Sequence, residues 1–308
     1  MSEPSLRGSS DPPDCVIETT GLRKSFRGIE ALRGLDLRVP SGSIYGFLGR
    51  NGAGKTTTIK ALMGLLRPDS GEARILGQPI GGDAAAVEIR RRIGFVTEDK
   101  ELYPYMTVEQ AVRFTRPFFP RWRDDLAQRY LRSFELPAKQ KIPKLSKGMR
   151  SKLMLLLAIC RGAELLILDE PMEGLDPAVA EDVLSVLTGL AAEEGTTIFF
   201  SSHQIADVEQ IADHVCIIDR GRAVVAGALD DLKSQYQRLH VVFAEVPPHS
   251  VPWVDGVERV RHDGRMLSIF ASRNVDAVVD QVRSLPGASV ERFPVTLKEI
   301  FLECVRSH

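Results

Sequence analysis

Four short apolar runs, at 44–48, 93–97, 165–168 and 196–200, show no alternation of polar and apolar positions. A strand buried on both faces of a parallel sheet reads this way. Two other segments, 16–19 and 31–39, alternate or nearly alternate, as strands with one solvated face do. A short strand at 73–76 is bounded by Asp69-Ser70-Gly71 and Gly81-Gly82-Asp83, and the helix-like run that follows ends in Arg90-Arg91-Arg92, cations suited to a helix C-terminus. From 107 to 158 the spacing is mostly helical, which predicts a helical subdomain over about 100–160. Tyr103, Tyr105, Phe118, Phe119 and Trp122 crowd its start, as a local core or as an apolar groove for a partner helix.

Beyond 236 the pattern changes to short alternating stretches at 239–243, 257–260, 265–270 and 288–292, with Asp263-Gly264 as a hairpin turn. Helices are expected at 275–285 and 296–305. The second opens with a capping box, Thr296 to Glu299, and carries Leu297, Ile300, Phe301, Cys304 and Val305 on one face. This predicts a small α+β appendage that either packs on the main domain or serves a dimer or regulatory contact. Residues 1–14, rich in Ser, Pro, Gly and Asp, have no apolar periodicity and are expected to be disordered. The expected division is therefore 1–14, 15–235 and 236–308.

With 308 residues and 44% hydrophobic content the chain can bury real cores. Lys plus Arg number 40 against 41 acids, a net charge of -1, so no global basic field points to nucleic acid. Cys15, Cys160, Cys216 and Cys304 lack metal-ligand or secreted-framework spacing, which predicts a reducing, cytoplasmic compartment and small buried hydrophobes. No apolar stretch approaches about 20 residues and no signal-peptide pattern opens the chain, so it is not expected to span a membrane itself.

The most specific stretch is Gly49-Arg50-Asn51-Gly52-Ala53-Gly54-Lys55-Thr56-Thr57, which meets every position of the phosphate-loop pattern G-x-x-x-x-G-K-[ST]. A buried strand precedes it and a helix can follow. Glycines let the backbone approach phosphate oxygens, the N–H groups and helix N-terminus face the anion, and Lys55 reaches the terminal phosphates. Thr56 then offers its hydroxyl to magnesium. The run at 165–168 delivers Asp169 and Glu170 at its carboxyl end, where ligands gather in open α/β sheets. Asp169 can hold magnesium directly or through water, and Glu170 can orient or deprotonate an attacking water. Gly174-Leu175-Asp176-Pro177 is a turn with a projecting acid. The strand at 196–200 runs on to Ser201-Ser202-His203, whose histidine is either structural or faces the same phosphate site. Leu145-Ser146-Lys147-Gly148-Met149 places a hydroxyl and a glycine at the start of a helix-like run at 150–159, a second possible phosphate cradle. Phe26 is open to two readings, a platform for a purine base or an ordinary core or edge aromatic. Glu98 and Asp99 end the strand at 93–97 and are weakly informative alone.

In this order, over roughly 16–235, these segments resemble the nucleotide-binding subunit of ATP-binding cassette transporters. The resemblance implies a P-loop NTPase cassette: α/β, with a mostly parallel core sheet, an antiparallel β edge region and a helical subdomain. It gives Phe26 the adenine-stacking place and Gly49 to Thr56 the phosphate loop. Asp169 takes the place of the magnesium-binding acid, Glu170 the catalytic base, Asp176 the dimer-communication aspartate and His203 the γ-phosphate switch. Leu145 to Met149 matches the signature LSGGQ, with Lys147 for its first glycine and Met149 for its glutamine; Ser146 and Gly148 remain as phosphate contacts. Glu98 stands where the family has a glutamine that links nucleotide to the membrane partner, and it keeps an oxygen for magnesium or water while adding a charge. This acid, with the nearby segment 102–108, resembles the bacterial exporter-like group.

The resemblance implies ATP and Mg2+ as ligands and a second cassette subunit, identical or not, paired head to tail. It also implies a separate transmembrane permease that holds the chain peripherally on the inner face of the membrane, and no nucleic-acid partner. The rival class is a soluble cassette ATPase acting on ribosomes or DNA, or a regulatory ATP switch. Ribosome-acting relatives usually carry two cassettes in one chain, whereas this chain has one phosphate loop, and Glu170 speaks against a non-hydrolysing form.

Overall fold

The computed structural model describes residues 14–80, 83–97, 102–245 and 253–306. The expectation of disorder therefore falls on a segment that, but for Asp14, lies outside the described residues. The chain opens with a long antiparallel hairpin, β1 (Cys15–Phe26) and β2 (Ile29–Pro40), followed by β3 (Ile44–Leu48) and α1 (Lys55–Leu62). Then come β4 (Ser70–Ile75), β5 (Gln78–Pro79), α2 (Asp83–Arg92) and β6 (Ile93–Val96). The helical region holds α3 (Val108–Thr115), α4 (Asp124–Ser133) and α5 (Lys147–Ile159). It leads into β7 (Leu165–Leu168), α6 (Pro177–Glu194) and β8 (Thr197–Ser202). Next are α7 (Ile205–Ile211), β9 (His214–Asp219), β10 (Arg222–Ala228) and α8 (Leu229–Gln235), four elements that the pattern of positions leaves unassigned. The chain closes with β11 (Gln237–Phe243), β12 (Val257–Asp263), β13 (Met266–Ala271), α9 (Val275–Arg283), β14 (Ala288–Pro294) and α10 (Leu297–Arg306).

The four apolar runs are neighbours. They form four adjacent strands, with β6 at the edge, of a six-stranded sheet in the order β10-β9-β3-β8-β7-β6, parallel except for β10. Alternate residues serve opposite cores, which explains the unbroken apolar sequence. Ile44, Leu166, Leu168, Ile198 and Phe200 face the core shared with the helical region. Tyr45, Phe47, Leu165, Ile167 and Phe199 face a second core, closed by α1 and the antiparallel sheet β2-β1-β4-β5. This is the expected α/β architecture with an antiparallel edge region.

Helix boundaries follow local chemistry. Thr107 caps α3 in a capping box with Gln110. Ser146 caps α5, so that helix starts at Lys147, three residues before the run at 150–159 and within the signature segment. The Thr296–Glu299 box at α10 is present as the spacing predicts.

The four C-terminal strands form an antiparallel sheet, β12-β13-β11-β14, with α9 packed against it over a separate small core. Helix α10 does not join that core. Its Leu297, Ile300, Phe301 and Val305 enter the main one, against α7 and β10, while Glu299 pairs with Arg238 and Glu303 with Arg259 and Arg261 of the appendage sheet. It ties the appendage to the cassette. Cys160 and Cys216 are buried and Cys15 and Cys304 half-buried, and none is in a disulfide.

The closeness of α5 to the sheet rests on Gly94 of β6. A Cβ there would lie 2.6 Å from the Ala158 carbonyl oxygen and against the Leu166 side chain. Gly189, in the middle of α6, has nothing within 4 Å of the corresponding point. Gly94→Ala is therefore expected to lower unfolding free energy by about 1–3 kcal/mol through overpacking. Gly189→Ala should raise it by about 0.5–1 kcal/mol through helix propensity. Urea denaturation followed by circular dichroism measures both, and equal effects would contradict this account of the packing.

Candidate functional site

The phosphate loop leaves β3 and enters α1, and its backbone is shaped by what surrounds it. Gly52 and Gly54 have φ of 80° and 111°, a region that L side chains rarely adopt. A Cβ on Gly54 would sit 2.8 Å from the Ala31 carbonyl oxygen, and one on Gly49 would sit 2.7 Å from that of Ile218. Only glycine fits where the loop is pressed between β2 and β9. Arg50 and Asn51 are exposed at the loop tip, Ala53 is buried, and Thr56 and Thr57 are half-buried at the helix start. Lys55 is folded back over the loop, its ammonium donating to the carbonyls of Gly49 at 2.7 Å and Arg50 at 3.3 Å.

Strand β7 ends beside this loop and presents Asp169 and Glu170, both buried. Asp169 N–H donates to the Val96 carbonyl at 2.9 Å, so the acids are registered to the end of β6 as well. Glu170 has φ 48°, a left-handed conformation that is costly for a non-glycine residue. Its carboxylate lies between two partners, with Lys55 Nζ 3.1 Å from Oε1 and His203 Nδ1 2.9 Å from Oε2. The Lys55 contact is an ion pair without hydrogen-bond alignment, and Oε1 is a buried acceptor with no hydrogen bond. The Asp169 carboxyl is pushed above the usual range mainly by burial, against opposing hydrogen bonds from Ser201 and Thr56. A cleft of about 360 Å³ opens over this assembly, lined by Asn51, Gly52 and Gly54 to Thr57 on one side and by Ala31, Glu170 and Glu173 on the other. A larger cleft of about 750 Å³ beside Arg67 and Arg90 contains none of these groups, so size does not mark the site.

Lys55, Thr56, Asp169, Glu170 and His203 are thus brought together from the carboxyl ends of three adjacent strands. Ser146, Gly148 and Asp176 are not among them. Ser146 and Asp176 are exposed caps, accepting from Met149 N–H and Val179 N–H at 3.1 Å each, and the starts of α5 and α6 touch where Gly148 meets Val179. Lys147, the departure from the signature, lies over Gly174, where a side chain on residue 174 would collide with its ammonium. Phe26 ends β1, is 46% exposed and has the Lys24 ammonium 5.6 Å from its ring centre. It is exposed at the strand end, outside the lining of the phosphate cleft and no part of the core, so its ring face is open. Glu98 and Asp99 lie outside the described residues.

One residue at the centre was passed over as a mere strand end. Ser201 is fully buried, accepts from Glu170 N–H at 3.0 Å and donates to Asp169 Oδ1 at 2.7 Å. A hydroxyl at the end of an apolar strand, two residues before His203, is the signal that could have found it.

Comparison with known proteins agrees with this geometry. The family model described as ABC transporter matches residues 32–173. The bacitracin transport ATP-binding protein BcrA of Bacillus licheniformis is 36% identical over 225 residues, 72% of this chain and 73% of its own. The daunorubicin resistance ATP-binding protein DrrA3 of Streptomyces coeruleorubidus is 34% identical over 307 residues, 94% of this chain and 95% of its own, so that similarity extends through the C-terminal sheet. Among solved structures, an ATP-binding subunit of an ABC transporter superposes with TM-score 0.65 at 30% identity, covering 71% of this chain and 92% of that one. The ADP- and phosphate-bound dimer of the cassette MJ0796 shares the fold with TM-score 0.63 at 23% identity, over 69% of this chain and 98% of that one. The strand–loop–helix that holds Lys55, the acids at the end of β7 and these relatives agree, and the chain belongs to the ABC transporter family as an ATP-binding protein.

Proposed function

We propose that the chain hydrolyses ATP, pairs with a second cassette subunit when ATP is bound, and drives a separate transmembrane permease from the inner face of the cell membrane. The observation that carries this reading is the convergence of Lys55, Asp169, Glu170 and His203 at the ends of β3, β7 and β8, around the cleft of the phosphate loop. Loop amides and the Lys55 ammonium bind the β- and γ-phosphates of ATP. Glu170, steadied by His203, accepts a proton from or orients the attacking water.

Magnesium fits the donors present. Thr56 and Asp169 supply oxygens alone, and the metal usually takes one or two such ligands and completes its shell with water and substrate phosphates. The unbonded Glu170 Oε1 is a further oxygen that a metal-bound water can reach in hydrogen bonding. When bound, magnesium neutralises phosphate charge as the terminal bond breaks. We extend the ligand set to Glu98 on the family pattern.

The split between the two halves of the site favours a pair of subunits. Ser146, Gly148 and Asp176 are displayed at two adjoining helix starts away from the chain's own phosphate cleft, as expected if they meet the ATP held by a partner. Among the described residues no helix is long and apolar enough to cross a membrane, which leaves the spans to the permease. The dock for it is a groove of about 470 Å³ whose rim is a chain of exposed rings, Tyr105, Tyr103, Phe114 and Phe118, with centres 5.4–5.7 Å apart. Arg161 lines the groove, stacked on Phe119 at 4.5 Å, and is left without an ion-pair partner among the described residues, so the docked helix is best matched if it carries a carboxylate. The appendage, residues 236–308, is proposed as a rigid attachment of the cassette 15–235.

Glu170→Gln is expected to retain ATP binding, lower turnover by at least about a hundredfold and accumulate a dimer on ATP and magnesium. Steady-state ATPase and size-exclusion chromatography measure this, with Lys55→Ala as the binding-defective control. Wild-type turnover by the glutamine variant would remove Glu170 from the mechanism.

Phe26→Ala should weaken ATP binding by about 1–3 kcal/mol, while Phe26→Tyr leaves it unchanged, because the ring face supplies the contact. Equilibrium titration with a fluorescent ATP analogue distinguishes this from a loss of hairpin stability, which would move the melting temperature instead.

A further inference from the structure

Glu170 is held in a backbone conformation that its own side chain disfavours, and something must hold it there. The adjoining strand supplies the restraint. Ser201 is the penultimate residue of β8, its side chain is fully buried, and its hydroxyl makes two bonds at once, accepting from Glu170 N–H at 3.0 Å and donating to Asp169 Oδ1 at 2.7 Å. The two bonds are complementary. A hydroxyl has one proton, and because Asp169 takes it, the oxygen lone pairs remain for the Glu170 amide. One side chain thus fixes the carboxylate of one acid and the main chain of the next. The following residue acts on the third member: Ser202 Oγ accepts from Gln204 N–H at 2.9 Å, holding the turn that carries His203 against Glu170 Oε2.

We infer that Ser201 is a positioning residue for hydrolysis, which locks Glu170 in its left-handed conformation and turns Asp169 toward the metal site. The inference rests on the ATPase reading of the site. Ser201 takes no part in holding nucleotide, which falls to the phosphate loop, and it does not touch the reacting atoms. Its loss releases the Glu170 main chain toward ordinary backbone angles, so the carboxylate leaves the position defined by Lys55 and His203. Alanine also strands the buried Glu170 N–H and removes one of two side-chain hydrogen bonds to the Asp169 carboxylate, leaving only that from Thr56.

The test compares wild type, Ser201→Ala, Ser201→Thr and Ser201→Cys in the full-length protein. Alanine is expected to lower kcat about tenfold to a hundredfold while KM for ATP stays within about twofold. Threonine, which keeps the hydroxyl and suits a strand, should recover most of the rate, and cysteine, a weak donor, should fall between. A second readout is independent of turnover: manganese binding to the ADP-bound protein, followed by electron paramagnetic resonance, should weaken severalfold in the alanine variant. Affinity for a fluorescent ADP analogue in EDTA should not change. A wild-type kcat and manganese affinity in Ser201→Ala would overturn the inference. So would an equal loss in the alanine and threonine variants that follows melting temperature, since that is a packing effect. Should wild type itself bind nucleotide but never hydrolyse ATP, the ATPase reading fails instead, and the manganese titration still decides whether Ser201 orients Asp169.

Discussion

A buried ammonium shared between a loop and an acid governs the site. Lys55 and Glu170 are both almost fully buried, and an unpaired charge at that depth is costly, so each compensates the other. The pair fixes where the phosphate loop stands relative to the end of β7. It also means that nucleotide must compete with a carboxylate for the same cation. Since Lys55 also donates to two loop carbonyls, the competition does not free the side chain but changes the anion that faces it.

The rest of the cassette keeps these two groups in register. Strands β3, β8 and β7 are adjacent and parallel, so their carboxyl ends lie at one edge and residues distant in sequence become neighbours. Apolar packing on both faces of the sheet leaves little freedom at that edge. Ser201 adds the short-range tie between strands, and α10 presses the appendage against α7, the helix that follows His203. Stability and function are therefore joined at β8, whose interior side chains serve the core while its last residues serve the site.

Much of this was legible in the sequence, for reasons that differ by element. The parallel strands read clearly because burial on both faces leaves them mostly apolar, and the phosphate loop reads clearly because glycine spacing and a lysine are needed together. The capping boxes at Thr107 and Thr296 mark helix starts by local hydrogen bonding, although only the second was read from spacing. By contrast α7, β10 and α8 are short and only partly apolar, so periodicity does not single them out and tertiary packing decides their form, whereas β9 carries an apolar run, Val215 to Ile218, as long as that of β7. Helix α5 starts three residues before the run at 150–159 because Ser146 caps it, although Lys147, a cation at a helix N-terminus, opposes the helix dipole and does not look like a first turn. Ser201 was missed because a lone serine carries no pattern; only the meeting of β7 and β8 gives its hydroxyl two partners.

The claim that Lys55 is shared can be measured without turnover. Equilibrium binding of a fluorescent ATP analogue in EDTA, where neither metal nor hydrolysis intervenes, compares wild type with Glu170→Gln. If nucleotide must displace the carboxylate from the ammonium, the neutral variant binds more tightly, by about 1–2 kcal/mol or roughly five- to thirtyfold. Equal or weaker binding by Glu170→Gln would contradict the account, because it would mean that the ion pair costs the incoming phosphate nothing.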